Sequence, residues 1–110
     1  MPGDFQPPGE GSTAGENIMA HGRITVDNSG EMRQALAEAL RAKPAALSVD
    51  LSDVSYIDTS GLATLVEAAR IARKQGMRLI LVGMKDQPRY LFEITHLDRF
   101  FDAPAPEVNT

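Results

Sequence analysis

The chain contains no cysteine. Disulfides and thiolate zinc sites are therefore excluded. Histidine is nearly as scarce. His21 and His96 lie far apart in sequence and neither sits in a motif, so no metal site is expected. No apolar run reaches the roughly 20 residues that a membrane-spanning helix needs. Positive charge is also short: 11 Lys and Arg against 15 Asp and Glu give a net charge of -4, which supplies no basic footprint for nucleic acid. The N-terminus lacks a basic segment followed by an apolar one, so it does not read as a secretory signal. These absences lead to the expectation of a soluble cytoplasmic protein that inserts in no membrane.

What remains is enough for one domain. The 110 residues leave no room for a second core, and 43% of them are hydrophobic. Residues 1–16 hold three of the seven prolines and four of the nine glycines. Such a segment buries too little apolar surface to offset its ordering entropy, so a flexible tail is expected there. A folded domain is expected over 17–103, followed by a disordered tail over 104–110 beginning at Pro104-Ala105-Pro106.

The hydrophobic pattern then alternates between two periods. Ile18, Ala20, Gly22, Ile24 and Val26 alternate with polar or larger neighbours, which predicts a strand with one apolar face. Asn28 and Glu31 have the spacing of a capping box. Met32, Leu36, Ala39 and Leu40 form a helical stripe that Lys43-Pro44 ends. Leu47, Val49 and Leu51 predict a second strand. Ser52-Asp53 reads as a turn, and Val54 to Ile57 lead into a second helix over about 60–75. Leu62, Leu65, Val66, Ala69 and Ala72 share one face of that helix, and Gly76 suits its C-terminus. Leu79 to Val82 read as a central strand. A third helix is expected over about 88–95, burying Tyr90, Leu91 and Ile94, with Leu97, Phe100 and Phe101 closing the core through a short edge strand. Strands alternating with helices predict parallel β-α-β units with right-handed crossovers. The one-faced alternation of the early strands places the helices mainly on one side of the sheet.

The richest stretch is Tyr56-Ile57-Asp58-Thr59-Ser60-Gly61-Leu62. It puts an acid and two hydroxyls at the junction of a strand and a helix. A hydroxyl at a helix N-terminus can cap the helix or carry a phosphate that the dipole stabilises, and the residues alone leave both roles open.

This element resembles the signature of STAS domains, the module of anti-sigma factor antagonists and of sulphate-transporter tails. Gly22-Arg23-Ile24-Thr25-Val26-Asp27, Val49-Asp50-Leu51-Ser52 and Leu79-Ile80-Leu81-Val82-Gly83 extend the resemblance over roughly 22–101. It implies an α/β, STAS-like fold, with a mostly parallel four- to five-stranded sheet and helices mainly on one face. Against the family pattern the chain is shortened at both ends, with one clear strand before Asp27 and no helix after Phe101. It also carries Thr25 where antagonists often have an acid.

The resemblance further implies a non-enzymatic switch that binds no cofactor itself, the ATP belonging to its kinase. In phospho-regulated members the second hydroxyl of the element accepts phosphate from a serine kinase that is also an anti-sigma factor. Here that position is Ser60, with Thr59 as second candidate. The partner surface is expected to take in Asp27, Asn28, Asp53, Asp58, Thr59, Ser60, Gly61, Leu62, Thr64 and Glu67, with Arg70 extending it. An open sheet edge offers a route to a homodimer. Three other readings stand beside this one. The first is a STAS subunit docked constitutively on a membrane transporter or other assembly. The second is a phospho-aspartate receiver built on Asp58 and Lys85, which lacks the expected acidic pair. The third is a serine hydrolase, for which Thr59-Ser60-Gly61 lacks the nucleophile-elbow pattern.

Overall fold

A computed structural model describes residues 5–6 and 16–101; residues 1–4, 7–15 and 102–110, which include most of the tail expected over 1–16 and all of that expected over 104–110, lie outside the described residues. The elements are β1 (Phe5–Gln6), β2 (Glu16–Ile24), α1 (Ser29–Arg41), β3 (Ala46–Ile57), α2 (Thr59–Lys74), β4 (Arg78–Val82), α3 (Asp86–Thr95) and a 3-10 turn over Leu97–Phe100. They form one sheet in the order β1-β2-β3-β4. β2, β3 and β4 are parallel, and β1 is antiparallel to β2 with Phe5 opposite Ala20. The expected four to five strands thus correspond to three parallel strands of five or more residues plus a two-residue edge pair. Successive strands add in one direction, and crossovers of one hand then put α1 and α2 on the same face.

That face holds the core. Ile18, Ala20 and Ile24 from β2 meet Leu47, Val49, Leu51, Val54 and Ile57 from β3, under Met32, Leu36 and Leu40 of α1 and Leu65, Ala69 and Ala72 of α2. Outside it, Arg23 stacks over the Tyr56 ring at 4.4 Å, a cross-strand pair beside the start of α2.

Several expectations are corrected. The segment expected to be a flexible tail contains β1, and β2 starts at Glu16. Val26 does not continue the strand and is 72% exposed. The Thr25 carbonyl accepts the N–H groups of Asn28 and Ser29, closing a turn directly after Ile24. Asn28 forms no capping box: its Oδ1 accepts the Thr25 N–H at 2.9 Å and its Nδ2 donates to the Arg23 carbonyl. Its side chain therefore holds the turn instead of the helix.

Ser52-Asp53 is not a turn. β3 is one strand of 12 residues in which Leu51 and Val54 are both buried and the two residues between them are exposed. The register passes from Met19↔Asp50 to His21↔Asp53, so β3 carries an extra residue against β2. A bulge of this kind restores the inward face without ending the strand.

β4 pairs only with Ala46 to Asp50 of β3. Beyond it Gly83 has φ +79, and a Cβ there would lie 2.8 Å from Ser52 Cβ and 3.0 Å from the Ser52 nitrogen. Only glycine lets the chain leave the sheet this close over β3. The outer edge of β4 has no strand partner among the described residues.

α2 ends in a Schellman arrangement. The Met77 N–H reaches the Ala72 carbonyl, the Gly76 N–H reaches that of Arg73, and Gly76 has φ +78. α3 starts at Asp86, two residues earlier than expected, and is turned from its expected orientation. Pro88 and Phe92 are buried, whereas Tyr90 and Ile94 are exposed. The inward stripe is 88, 91, 92 and 95. Phe92 meets Phe101 edge-to-face at 5.5 Å, across a 3-10 turn where an edge strand was expected. No described helix is long and apolar enough to cross a membrane.

Candidate functional site

The site forms where β3 delivers the chain to α2. Ile57 is the last strand residue, and the Asp58 N–H donates to the Ile24 carbonyl of β2. This bond sets the exit angle of the turn. Asp58 is extended and is the N-cap of α2, where an acid suits both the free N–H groups and the helix dipole.

The Asp58 carboxylate is the hub. Oδ1 accepts the Gly61 N–H at 3.0 Å and the Ser60 hydroxyl at 2.6 Å. Oδ2 accepts the Val26 N–H at 3.0 Å. One side chain therefore ties the β2–α1 turn to the first turn of α2. The Ser60 hydroxyl holds the Asp58 carboxyl below the usual carboxylate range. Desolvation opposes it, and the N–H groups of Gly61, Val26 and Ser60 reinforce it.

Gly61 is required by the approach of α2 to the sheet. A Cβ there would lie 2.6 Å from Ile24 Cγ2 and 3.1 Å from Ile57 Cγ2. The Thr64 hydroxyl donates to the Ser60 carbonyl at 2.9 Å, inside the same helical turn.

The structure divides the expected partner surface. Asp27, Asn28, Asp58, Thr59 and Ser60 gather at one end of the sheet, as parallel topology dictates. Thr59 and Asp27 are exposed there, and Ser60 is half-buried. Glu67 is exposed further along α2 and lies 3.6 Å from Arg33 of α1. Gly61, Leu62 and Thr64 are buried, so they support this surface from within; Thr64, expected to be exposed, is 2% exposed. Thr64 reads as polar, yet it lies with Leu36 and Leu40 of α1 along the groove between the two helices.

Asp53 lies elsewhere. It sits in the bulge of β3, four residues before the strand end, where its Oδ2 meets His21 Nδ1 at 2.7 Å. That places it roughly 13 Å along the strand from Ile57.

Two residues of the site were not foreseen. Val26, whose strand rhythm predicts an inward side chain, is an exposed apolar residue whose N–H is bound to Asp58. Gln87 of α3 binds the backbone of Ile57: its Oε1 accepts the N–H at 2.9 Å and its Nε2 donates to the carbonyl at 3.0 Å. Gln87 carries no motif, and only the tertiary path of α3 brings it there.

From Thr59 a shallow groove of about 530 Å³ follows α2, lined also by Ala63, Val66, Glu67, Arg70 and Leu97. No group of three or more acidic or His side chains among the described residues could hold a metal ion. Asp58 makes no ion pair with Lys85; its neighbours are hydroxyl and amide donors.

This fold, with its Asp58-capped turn, belongs to a known class. The family model described as Mlab, STAS domain matches residues 12–102, and the chain belongs to the STAS-domain family. It is 33% identical over 81 residues to the anti-sigma-B factor antagonist of Listeria monocytogenes, spanning 74% of this chain and 71% of that one. Over 49 residues it is 41% identical to the intermembrane phospholipid transport system binding protein MlaB of Escherichia coli, spanning 44% of this chain and 50% of that one. Among solved structures, an anti-sigma factor antagonist from Mycobacterium paratuberculosis superposes with a TM-score of 0.74 at 20% identity, covering 93% of this chain and 86% of that one. The phosphorylated form of SpoIIAA, a Bacillus cell fate determinant, gives 0.69 at 17% identity, covering 92% and 91%.

Proposed function

We propose that the chain is a phosphorylation-controlled anti-sigma factor antagonist, which binds an anti-sigma serine kinase and is released from it when Ser60 carries phosphate. The observation behind this reading is the Ser60–Asp58 hydrogen bond at the start of α2, on the end of the sheet where Thr59, Asp27 and Val26 are exposed. The similarity to anti-sigma-B factor antagonists over three quarters of the chain supports it.

The charge change suits a switch. Unmodified, the surface is partly apolar and the half-exposed Asp58 carboxylate on it is satisfied by donors. Phosphorylation replaces the hydroxyl proton bound to Asp58 and adds about -1.5 to -2 charge next to that carboxylate. Asp58 already takes up N–H groups at the helix start, so the phosphate is directed outward, into the space a docked partner fills. There its charge and hydration oppose a packed interface.

A second reading is a constitutive docking subunit of a membrane transport assembly. The identity to MlaB across 49 residues favours it. In that case the same surface binds without modification, and the Ser60 hydroxyl serves only the Asp58 cap. A homodimer through the outer edge of β4, which has no strand partner among the described residues, is compatible with either.

Phosphopeptide mass spectrometry on protein from its own host, with and without stress, separates the two. Trypsin releases residues 42–70 as one peptide, because Lys43 precedes Pro44, so fragmentation must locate the site among Ser48, Ser52, Ser55, Thr59, Ser60 and Thr64. Stress-dependent phosphate on Ser60 supports the switch. Full coverage without phosphate supports the constitutive subunit.

A further inference from the structure

The exit of β4 leaves a gap that one side chain fills. Pairing between β3 and β4 stops at Asp50 and Val82, and Gly83 carries the chain away over Ser52. β3 nevertheless continues for seven more residues to Ile57. On its β2 side this extension is paired, up to Ile24↔Ile57. On the other side the N–H and C=O of Ile57 point where β4 would lie. Unpaired and partly buried, each would carry a desolvation penalty.

The Gln87 carboxamide takes the place of the missing strand. A primary amide presents a donor and an acceptor side by side, as a backbone residue does. Both of its bonds go to Ile57, at 2.9 and 3.0 Å, across 30 residues of sequence. Asp58 follows immediately, and its own N–H is tied to Ile24 on the opposite side. The turn that presents Asp58, Thr59 and Ser60 is thus held from both sides, by β2 and by α3.

We infer that Gln87 is a positioning residue for the Asp58–Ser60 turn, holding the acceptor hydroxyl in place by completing the unpaired end of β3. This deepens the reading of Ser60 as the modified residue and rests on it. It makes α3 a part of the switch, since any displacement of α3 is transmitted to Ile57 through two hydrogen bonds. Glutamine is specified by chemistry at this position. Glutamate keeps the acceptor for the N–H but turns a carboxylate oxygen toward the Ile57 carbonyl. Methionine fills the space and keeps neither bond.

The test is amide hydrogen exchange by NMR on the full chain, comparing wild type, Gln87→Met and, as a control on the exposed face of α3, Arg89→Met. Gln87→Met is expected to speed exchange at Ile57 and Gly61 by about tenfold, the scale of one lost net hydrogen bond. Exchange at Val49 and Leu79 is expected to stay near wild type. The Asp58 carboxyl, followed by its carbon shift, is expected to titrate at higher pH as its bonds to Ser60 and Gly61 loosen. Arg89→Met is expected to move none of these. If the Met variant does not fold, Gln87→Glu provides the same comparison, with the acceptor retained. The inference is overturned if Ile57 alone loses protection while Gly61 and Asp58 stay fixed. It is equally overturned if every amide changes together. Phosphate transfer to Ser60 is scored separately with the kinase. Absence of transfer to wild type removes the switch reading, while the NMR comparison still decides whether Gln87 positions the turn.

Discussion

The Ser60 hydroxyl donates to Asp58 Oδ1 at 2.6 Å, and this bond is the largest cause of the lowered Asp58 pKa. Ser60→Ala removes it while leaving the Gly61 and Val26 bonds in place. The Asp58 carboxyl is therefore expected to move up toward its ordinary value of 3.8. A carboxyl with a lowered folded pKa stabilises the fold above its unfolded pKa, and that contribution is lost as pH falls through the folded one. Wild type is thus expected to lose more stability than Ser60→Ala on acidification from about pH 5 to pH 2. Urea unfolding across that range, with carbon-shift titration of Asp58, checks both statements.

Asp58 itself is expected to matter more. Asp58→Ala removes an N-cap, worth about 0.5–2 kcal/mol, and also frees the Val26 turn. Asp58→Asn keeps one oxygen for the Gly61 N–H but loses the charge at the helix N-terminus, about 0.3–1 kcal/mol, and places an NH2 group where Oδ2 accepts from Val26, so its loss is expected to exceed that of the charge alone. Chemical denaturation at pH 7 ranks the two variants. Equal losses would show that the Gly61 cap bond contributes nothing beyond the charge and the Val26 bond.

Gly61→Ala sets two effects against each other. Replacing glycine in a helix stabilises by about 0.5–1 kcal/mol. The new Cβ would lie 2.6 Å from Ile24 Cγ2, and overpacking of a core costs about 1–3 kcal/mol. Ile24 is fully buried and cannot swing away, so the clash is expected to win and the midpoint of urea unfolding to fall. Adding Ile24→Leu, which lacks the branch at Cβ, is expected to recover part of the loss. A rise in midpoint for Gly61→Ala alone would mean that α2 shifts outward freely.

Much of this was legible in the chain because hydrophobic periodicity reports which face is buried. The order of β2, α1, β3, α2 and β4 follows from it, and Gly76 just past the last periodic residue marks the end of α2. The misreadings have one physical origin: a local pattern does not reveal what lies across from it. Ser52 and Asp53 look like a turn because the alternation skips, and only the pairing with β2 shows a bulge. Val26 keeps the strand rhythm although the strand has ended. Tyr90 and Ile94 look as fit for burial as Phe92 until the position of α3 on β3 selects the stripe. Gln87 is an ordinary polar residue in sequence and becomes informative only where β4 is missing.

Thr64 tests the division between surface and support. Its hydroxyl is buried and bonded to the Ser60 carbonyl, a helical carbonyl with a second lone pair available to the backbone. Thr64→Val keeps the shape and removes one hydrogen bond, so a change of about 0.5–1.5 kcal/mol in stability is expected. Partner affinity is expected to stay within about twofold of wild type, under 0.5 kcal/mol. A large loss of binding with an unchanged fold would place Thr64 back on the interface.

The sharpest discrimination between a switch and a constitutive subunit comes from Ser60→Asp beside Ser60→Ala. Alanine removes the hydroxyl without adding charge, and a partner that packs over Thr59 and the Val26 turn meets nearly the same surface. Binding to the cognate kinase, measured by calorimetry, is then expected to stay within about threefold of wild type. Aspartate places a second carboxylate beside Asp58. The helix dipole offsets a part of the repulsion, about 0.3–1 kcal/mol, but Asp58 already occupies that position. The new charge is therefore directed to the interface, where desolvating it is expected to weaken binding by about tenfold or more, at least 1.4 kcal/mol. Its single charge understates the effect of a phosphate, which carries nearly twice as much. If Ser60→Asp binds the kinase as tightly as wild type while the Ser60 phosphoprotein also binds, charge at this turn does not control the interface, and the surface is that of a permanently docked subunit.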